Sequence, residues 1–178
     1  NRFDTQTNGV YITNNCNGST AQVAHNKFIN NTVGINFDQN TKLIANIEEN
    51  WMDNTSATGT YADNYAIRCS ELTTATSTTN YPAYAIDNNY INGYYNGIYT
   101  SHTYRAVIDD NEVHMLPDNT LGHVQVGIGI TDTDESDVNN NTVDMPNGTT
   151  SSWWHNALFT ENSSEPEIHC NSTNYIGT

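Results

Sequence analysis

The chain has 178 residues and a formal net charge of −15, from 20 acidic side chains against five basic ones; 35% of its residues are hydrophobic. Such a negative field argues against nucleic acid and other polyanionic partners, and favours cations, neutral glycans or simple solubility. No run of about 18 apolar residues is present, so no membrane-spanning helix is expected.

In chain order, two short patterns alternate. One reads Gly or Ala, apolar, any, apolar or small, any; the other places an apolar residue three before an Asn and another two after it. The order is GVYIT (9–13), VAHNKF (23–28), GINFD (34–38), IEENWM (47–52), AIRCS (66–70) and IDNNYI (86–91). It continues with GIYTS (97–101), IDDNEV (108–113), GIGIT (127–131), VNNNTV (138–143), ALFTE (157–161) and NSTNYI (171–176). The last copy is irregular, because Asn171 stands where the leading apolar residue belongs. The first pattern alternates with period two, as half-buried strands do. No long 3.6-residue periodicity appears, so helices should be few.

From the second residue of the first pattern to the Asn the distances are 16, 15, 22, 13, 13 and 16 residues; from Asn to the next copy they are 9, 17, 9, 17 and 17. The shortest repeat is about 22 residues, with inserts at fixed places, the length of one coil of a parallel β-helix. Inward positions of the first strands are then Val10/Ile12, Ile35/Phe37, Ile67/Cys69, Ile98/Thr100, Ile128/Ile130 and Leu158/Thr160.

These repeats resemble the right-handed parallel β-helix superfamily, the pectate-lyase-like fold, over about residues 9–176. The resemblance implies an all-β, single-stranded right-handed parallel β-helix of about six turns. It forms one domain over 1–178, read as a fragment or mature part of a longer chain. It also implies an asparagine ladder at one corner, formed by Asn26, Asn50, Asn89, Asn111, Asn141 and Asn174, with each Asn in the left-handed backbone region. The fold hosts many activities, so this motif speaks to architecture rather than function.

Function is expected on the face of the first strands, walled by inserts at 53–64, 71–82, 116–125 and 146–155, because loops on a rigid scaffold carry function. In the family resembled, this face is commonly the polysaccharide groove. One outward column holds Tyr11, Asn36, Arg68, Tyr99, Gly129 and Phe159; the other holds Thr13, Asp38, Ser70, Ser101, Thr131 and Glu161. Tyr11, Asn36, Tyr99 and Phe159, with Trp153 and Trp154 of an insert, are the candidate glycan contacts, since rings stack on sugars and amides fix hydroxyls. Exposed aromatic residues also simply suit strands.

Asp38, Arg68 and Glu71 are the candidate catalytic groups. Asp38 with Glu71, and Asp132 with Glu161, lie on neighbouring turns at a spacing compatible with paired glycosidase carboxyls. In a chain this acidic such pairs also arise by chance. The Asp/Arg/His motifs of polygalacturonases are absent in their usual order, and a uronate lyase would have only Arg68 as a base on the face. Asp132, Asp134, Glu135 and Asp137 crowd one turn and offer oxygen ligands for calcium, or form a solvated acidic turn.

Cys16, Cys69 and Cys170 show no metal-type spacing. Glycosylation sequons stand at Asn17, Asn30, Asn54, Asn140, Asn147, Asn162 and Asn171, none on the six expected ladder positions. The expectation is an extracellular or cell-surface domain that binds, with possible cleavage, polysaccharide. The alternative is a structural surface protein: a fibre, sheath, adhesin or viral spike segment that self-associates.

Overall fold

The computed structural model describes residues 1–13, 19–38, 43–54, 63–70, 83–116, 124–146 and 155–176. Every element there is a β-strand; there is no α-helix among the described residues, hence none long and apolar enough to cross a membrane. The strands fall into three parallel sheets, and each sheet takes every third strand of the chain.

The first sheet contains β2 (Asn8–Thr13), β5 (Val33–Asp38), β8 (Tyr65–Ser70), β11 (Asn96–Ser101), β14 (Gln125–Thr131) and β17 (His155–Glu161). The second contains β3 (Thr20–Ala24), β6 (Ile44–Glu48), β9 (Ala83–Asp87), β12 (Arg105–Asp109), β15 (Glu135–Asn139) and β18 (Glu165–His169). The third contains β1 (Arg2–Asp4), β4 (Lys27–Ile29), β7 (Trp51–Asp53), β10 (Tyr90–Tyr94), β13 (Glu112–Met115), β16 (Thr142–Pro146) and β19 (Ser172–Ile176).

Register follows the sequence repeat. Ile35 pairs with Ile67, Ile67 with Ile98, and Ile98 with Ile128; Phe37 pairs with Cys69 and Cys69 with Thr100. In the second sheet Ile47, Ile86, Ile108 and Val138 stack, and in the third Phe28, Met52, Ile91, Val113 and Val143. These columns meet in one continuous core. Each fully buried Ile adds about 1.5–3 kcal/mol of transfer free energy, and alternation on every strand leaves the other side chains outside. Cys69 is buried and Cys170 exposed; Cys16 lies outside the described residues.

The corner between the second and third sheets is a hydrogen-bonded stack of asparagines. The Nδ2 group of each donates to Oδ1 of the next: Asn26 to Asn50 at 3.2 Å, Asn50 to Asn89 at 3.0 Å, Asn89 to Asn111 at 2.9 Å, and Asn111 to Asn141 at 2.9 Å. The same Oδ1 accepts the backbone N–H of the preceding asparagine, and Nδ2 also reaches a carbonyl, as from Asn89 to Ile47.

Two details differ from the sequence expectation. The stack ends on Asn171, which accepts from Asn141 Nδ2 at 2.9 Å; Asn174 lies three residues on, exposed, and donates to Asp144. Asn1 extends the stack at the other end through a bond to Asn26 Oδ1. The left-handed residue is the one before each ladder asparagine: His25, Glu49, Asn88, Asp110, Asn140 and Cys170 all have φ between 51° and 55°. The chain turns the corner from the second sheet to the third there, and the following N–H points along the stack to the next Oδ1. The sequon at Asn171 therefore does coincide with the ladder, and the sequon acceptor Asn54 is fully buried.

Candidate functional site

The outer face of the first sheet carries the two columns expected for it. Tyr11 pairs with Asn36, Asn36 with Arg68, Arg68 with Tyr99, Tyr99 with Gly129, and Gly129 with Phe159. Beside them Asp38, Ser70, Ser101, Thr131 and Glu161 run in register. Both columns follow from period-two alternation on strands whose inward residues are fixed by the core.

Contacts on this face join neighbouring strands. The Tyr11 hydroxyl donates to Asp38 Oδ2 at 3.1 Å, and Tyr11 is half exposed. Asn36 Nδ2 donates to Asn8 Oδ1 at 3.2 Å, while Asn36 Oδ1 is buried without a hydrogen-bond partner among the described residues. The Arg68 guanidinium lies 5.5 Å from the Tyr65 ring centre, and Tyr65 lies 5.8 Å from Tyr99. Burial pushes the Tyr65 hydroxyl above its ordinary pKa, against the opposing pull of Arg68. Arg68 forms no ion pair with another described residue. The Tyr99 hydroxyl lies 3.0 Å from Thr131 Oγ1, and Ser101 donates to Ser70 at 3.2 Å. This is a polar, aromatic strip with hydrogen-bonding groups set beside ring faces.

Of the candidate catalytic groups, Asp38 and Arg68 sit on adjacent strands of this face; Glu71 lies outside the described residues, as do Trp153 and Trp154. Asp132 and Glu161 are on neighbouring strand ends, joined by a backbone bond from Asp132 N to Glu161 O at 2.9 Å. Asp132 also lies 3.5 Å from His102 Nε2.

The four acidic residues of the turn after β14 do not converge. Asp132 and Asp134 line one cleft with Thr133, Asn162 and Ser164, and Asp134 accepts from Ser164 Oγ at 2.7 Å. Glu135 and Asp137 open on the outer face of β15, in a second cleft with Arg105, Glu165 and Glu167. Strand alternation begins at Glu135 and carries the last two away from the turn. Among the described residues, the group that brings three carboxylates within 4.8 Å of one another is Asp87, Asp109 and Asp110.

The outer face of the third sheet holds a further constellation, away from the first-strand face where function was expected. Trp51 and Tyr90 stack at 4.2 Å with Lys27 5.5 Å from the Trp51 ring. His114 is held at both ring nitrogens, by Glu112 and by Asp144, each at 2.7 Å. The repeat itself carries the signal for this cluster. Its side chains occupy the first and third positions after each ladder asparagine, the outward positions of the third strand.

No protein-family model, curated protein or solved structure matches this chain.

Proposed function

We propose that the chain is a right-handed parallel β-helix of the pectate-lyase-like kind, extracellular or at a cell surface. It binds polysaccharide along the outer face of its first sheet. The coiled topology is supported by the return of every third strand to the same parallel sheet, since parallel crossovers are right-handed in nearly all proteins. The binding reading rests on one observation: Tyr11, Asn36, Arg68, Tyr65 and Tyr99 form an aromatic and hydrogen-bonding strip on one rigid face. Asp38 and Arg68 are the groups of this face from which cleavage would start.

The test is a polysaccharide panel read two ways, by affinity electrophoresis for binding and by release of reducing or unsaturated ends for cleavage. Retardation by at least one glycan is expected, weakened about tenfold by Arg68→Ala through its charge-assisted bonds. A folded wild-type chain retarded by none of them would sink the reading. End release abolished by Asp38→Ala would add catalysis to binding.

A further inference from the structure

We propose that Tyr99, Gly129 and Thr131 form a preorganised stacking subsite for an uncharged, β-1,4-linked glycan with all-equatorial ring substituents, and that Gly129 is its positioning residue. This rests on the glycan-binding reading of the first-sheet face.

Tyr99 stands opposite Gly129 in the parallel register. Its hydroxyl reaches Thr131 Oγ1, which belongs to the next strand and lies two residues further along it. A ring standing upright from the sheet could not make that bond, so the ring leans across β14. Gly129 makes the lean possible: a Cβ there would come within 3.0 Å of Tyr99 Cδ2 and 2.8 Å of Val126 Cγ1. Gly129 is accordingly buried although it faces outward, and Thr131 is only 7% exposed. The Cδ2–Cε2 side of the phenol ring covers the glycine, and Tyr99 as a whole stays partly exposed. The ring is anchored at its far end by the hydroxyl bond, so little rotamer freedom remains to be lost on binding.

The third sheet shows the contrast. There Trp51 and Tyr90 cover each other's faces, and Lys27 sits against the indole. Those rings lie nearly parallel, 26° apart, and pack on each other, although Trp51 stays 45% exposed. Among the described residues Tyr99 has no stacked partner of that kind: its ring neighbour, Tyr65, lies 5.8 Å away and is tilted by 48°.

A flat ring on a flat sheet selects a flat sugar. Pyranoses with all substituents equatorial present axial C–H groups on both faces, and β-1,4 linkage keeps them in an extended ribbon. Such a ribbon advances per sugar by nearly the strand spacing of about 4.8 Å, so neighbouring sugars meet neighbouring strands. Charge selects against uronate polymers. The chain carries −15, and Asp38, Asp132 and Glu161 border the strip, where Arg68 is already placed over Tyr65. A polyanion is repelled by that field.

The experiment is calorimetric titration of the folded chain with cellohexaose and with hexagalacturonate, repeated on Gly129→Ala and Tyr99→Ala. Melting curves verify that each variant folds. Cellohexaose should bind more tightly than hexagalacturonate. Tyr99→Ala should weaken cellohexaose about tenfold, the usual scale of one aromatic stacking contact. Gly129→Ala should weaken it several-fold by displacing the ring, although it leaves every contacting group in place. Tighter binding of hexagalacturonate overturns the ligand class. Cellohexaose binding that Tyr99→Ala leaves unchanged overturns the subsite alone. If neither oligosaccharide binds and the wider panel is also blank, the glycan reading falls with it.

Discussion

Two asparagines with almost the same burial have opposite surroundings. Asn89 is 1% exposed, and its side chain bonds to Asn50, Asn111, Ile47 and Asp87. Asn54 is fully buried, and neither its amide nitrogen nor its oxygen has a hydrogen-bond partner among the described residues. The difference is what stands in the neighbouring strands. Asn89 has an asparagine on each side. Asn54 follows Asp53, which pairs with Asn92; its backbone N–H donates to the Asn92 carbonyl, and the residue after Asn92 is Gly93, which has no side chain to offer. A buried amide is stabilising here only where the repeat supplies its partner.

That contrast is broken most directly by changing both residues to leucine. Asn89→Leu leaves the Asn50 backbone N–H without its acceptor and removes one bond each from Asn50 Nδ2, Asn111 Oδ1 and the Ile47 carbonyl, of which Asn50 Nδ2 keeps Val23 O and Asn111 Oδ1 keeps the residue-89 N–H. An orphaned buried N–H costs about 1–3 kcal/mol and each further lost bond about 0.5–1.5 kcal/mol, so a total loss of about 3–5 kcal/mol is expected, a fall of roughly 10 °C or more in melting temperature for a chain of this size. Asn54→Leu orphans nothing on its side chain and should cost far less. Thermal melts of the two variants decide it, and equal losses would mean that the stack does not carry the corner.

Most of the stack is legible in the amino-acid sequence, because two coupled patterns keep alternating and inward columns repeat like residues. Its last step is not. Counted from Leu158, Asn171 lies 13 residues on, the spacing of the two preceding copies, whereas Asn174 lies 16 on. The apolar residue two after the asparagine points to Asn174, but in the last strand that inward position is Thr173, the partner of Val143. Spacing is the better guide because backbone geometry fixes it, while an end strand tolerates a polar inward residue. The first-sheet columns are likewise readable from alternation alone. The separation of Asp132 and Asp134 from Glu135 and Asp137 is not, since it depends on where the turn gives way to β15. Nor is the lean of Tyr99, which depends on a hydroxyl bond to another strand.

A smaller effect of opposite sign is expected in the core. Thr100 is fully buried in an inward column between Cys69 and Ile130, and its hydroxyl has no hydrogen-bond partner among the described residues. The column is apolar on both sides of Thr100, from Ile12 to Cys69 and at Ile130, and turns polar again only at Thr160 of the last strand, so the repeat again fails to supply a partner. Thr100→Val keeps the branched shape and removes the unpaired group, and should raise stability by about 1 kcal/mol. Denaturant unfolding reads this as a higher midpoint at unchanged slope; a lower midpoint would mean that the hydroxyl is stabilising.

The smallest effect lies beside the asparagine corner, where the same stacking places acids over acids. Glu48 pairs with Asp87, and Asp87 with Asp109. An amide both donates and accepts, so a column of amides bonds to itself; an ionised carboxylate only accepts, so a column of carboxylates repels. Partial burial, ahead of the charges of Asp109, Asp110 and Glu48, raises the Asp87 pKa, with a bond from Asn88 opposing them. A carboxyl raised in the folded state holds its proton more tightly there than in the unfolded chain. Its contribution therefore destabilises above the folded pKa and disappears as pH falls below the ordinary carboxylate value. Asp87→Asn should accordingly stabilise the protein slightly at neutral pH, with the gain shrinking on acidification through the carboxylate range. Melting curves of variant and parent across roughly pH 3 to 7, which spans the ordinary carboxylate scale, measure it. A gain that grew towards acid would show that Asp87 is held as an anion by its neighbours, and that the acidic column is paired in the way the asparagines are.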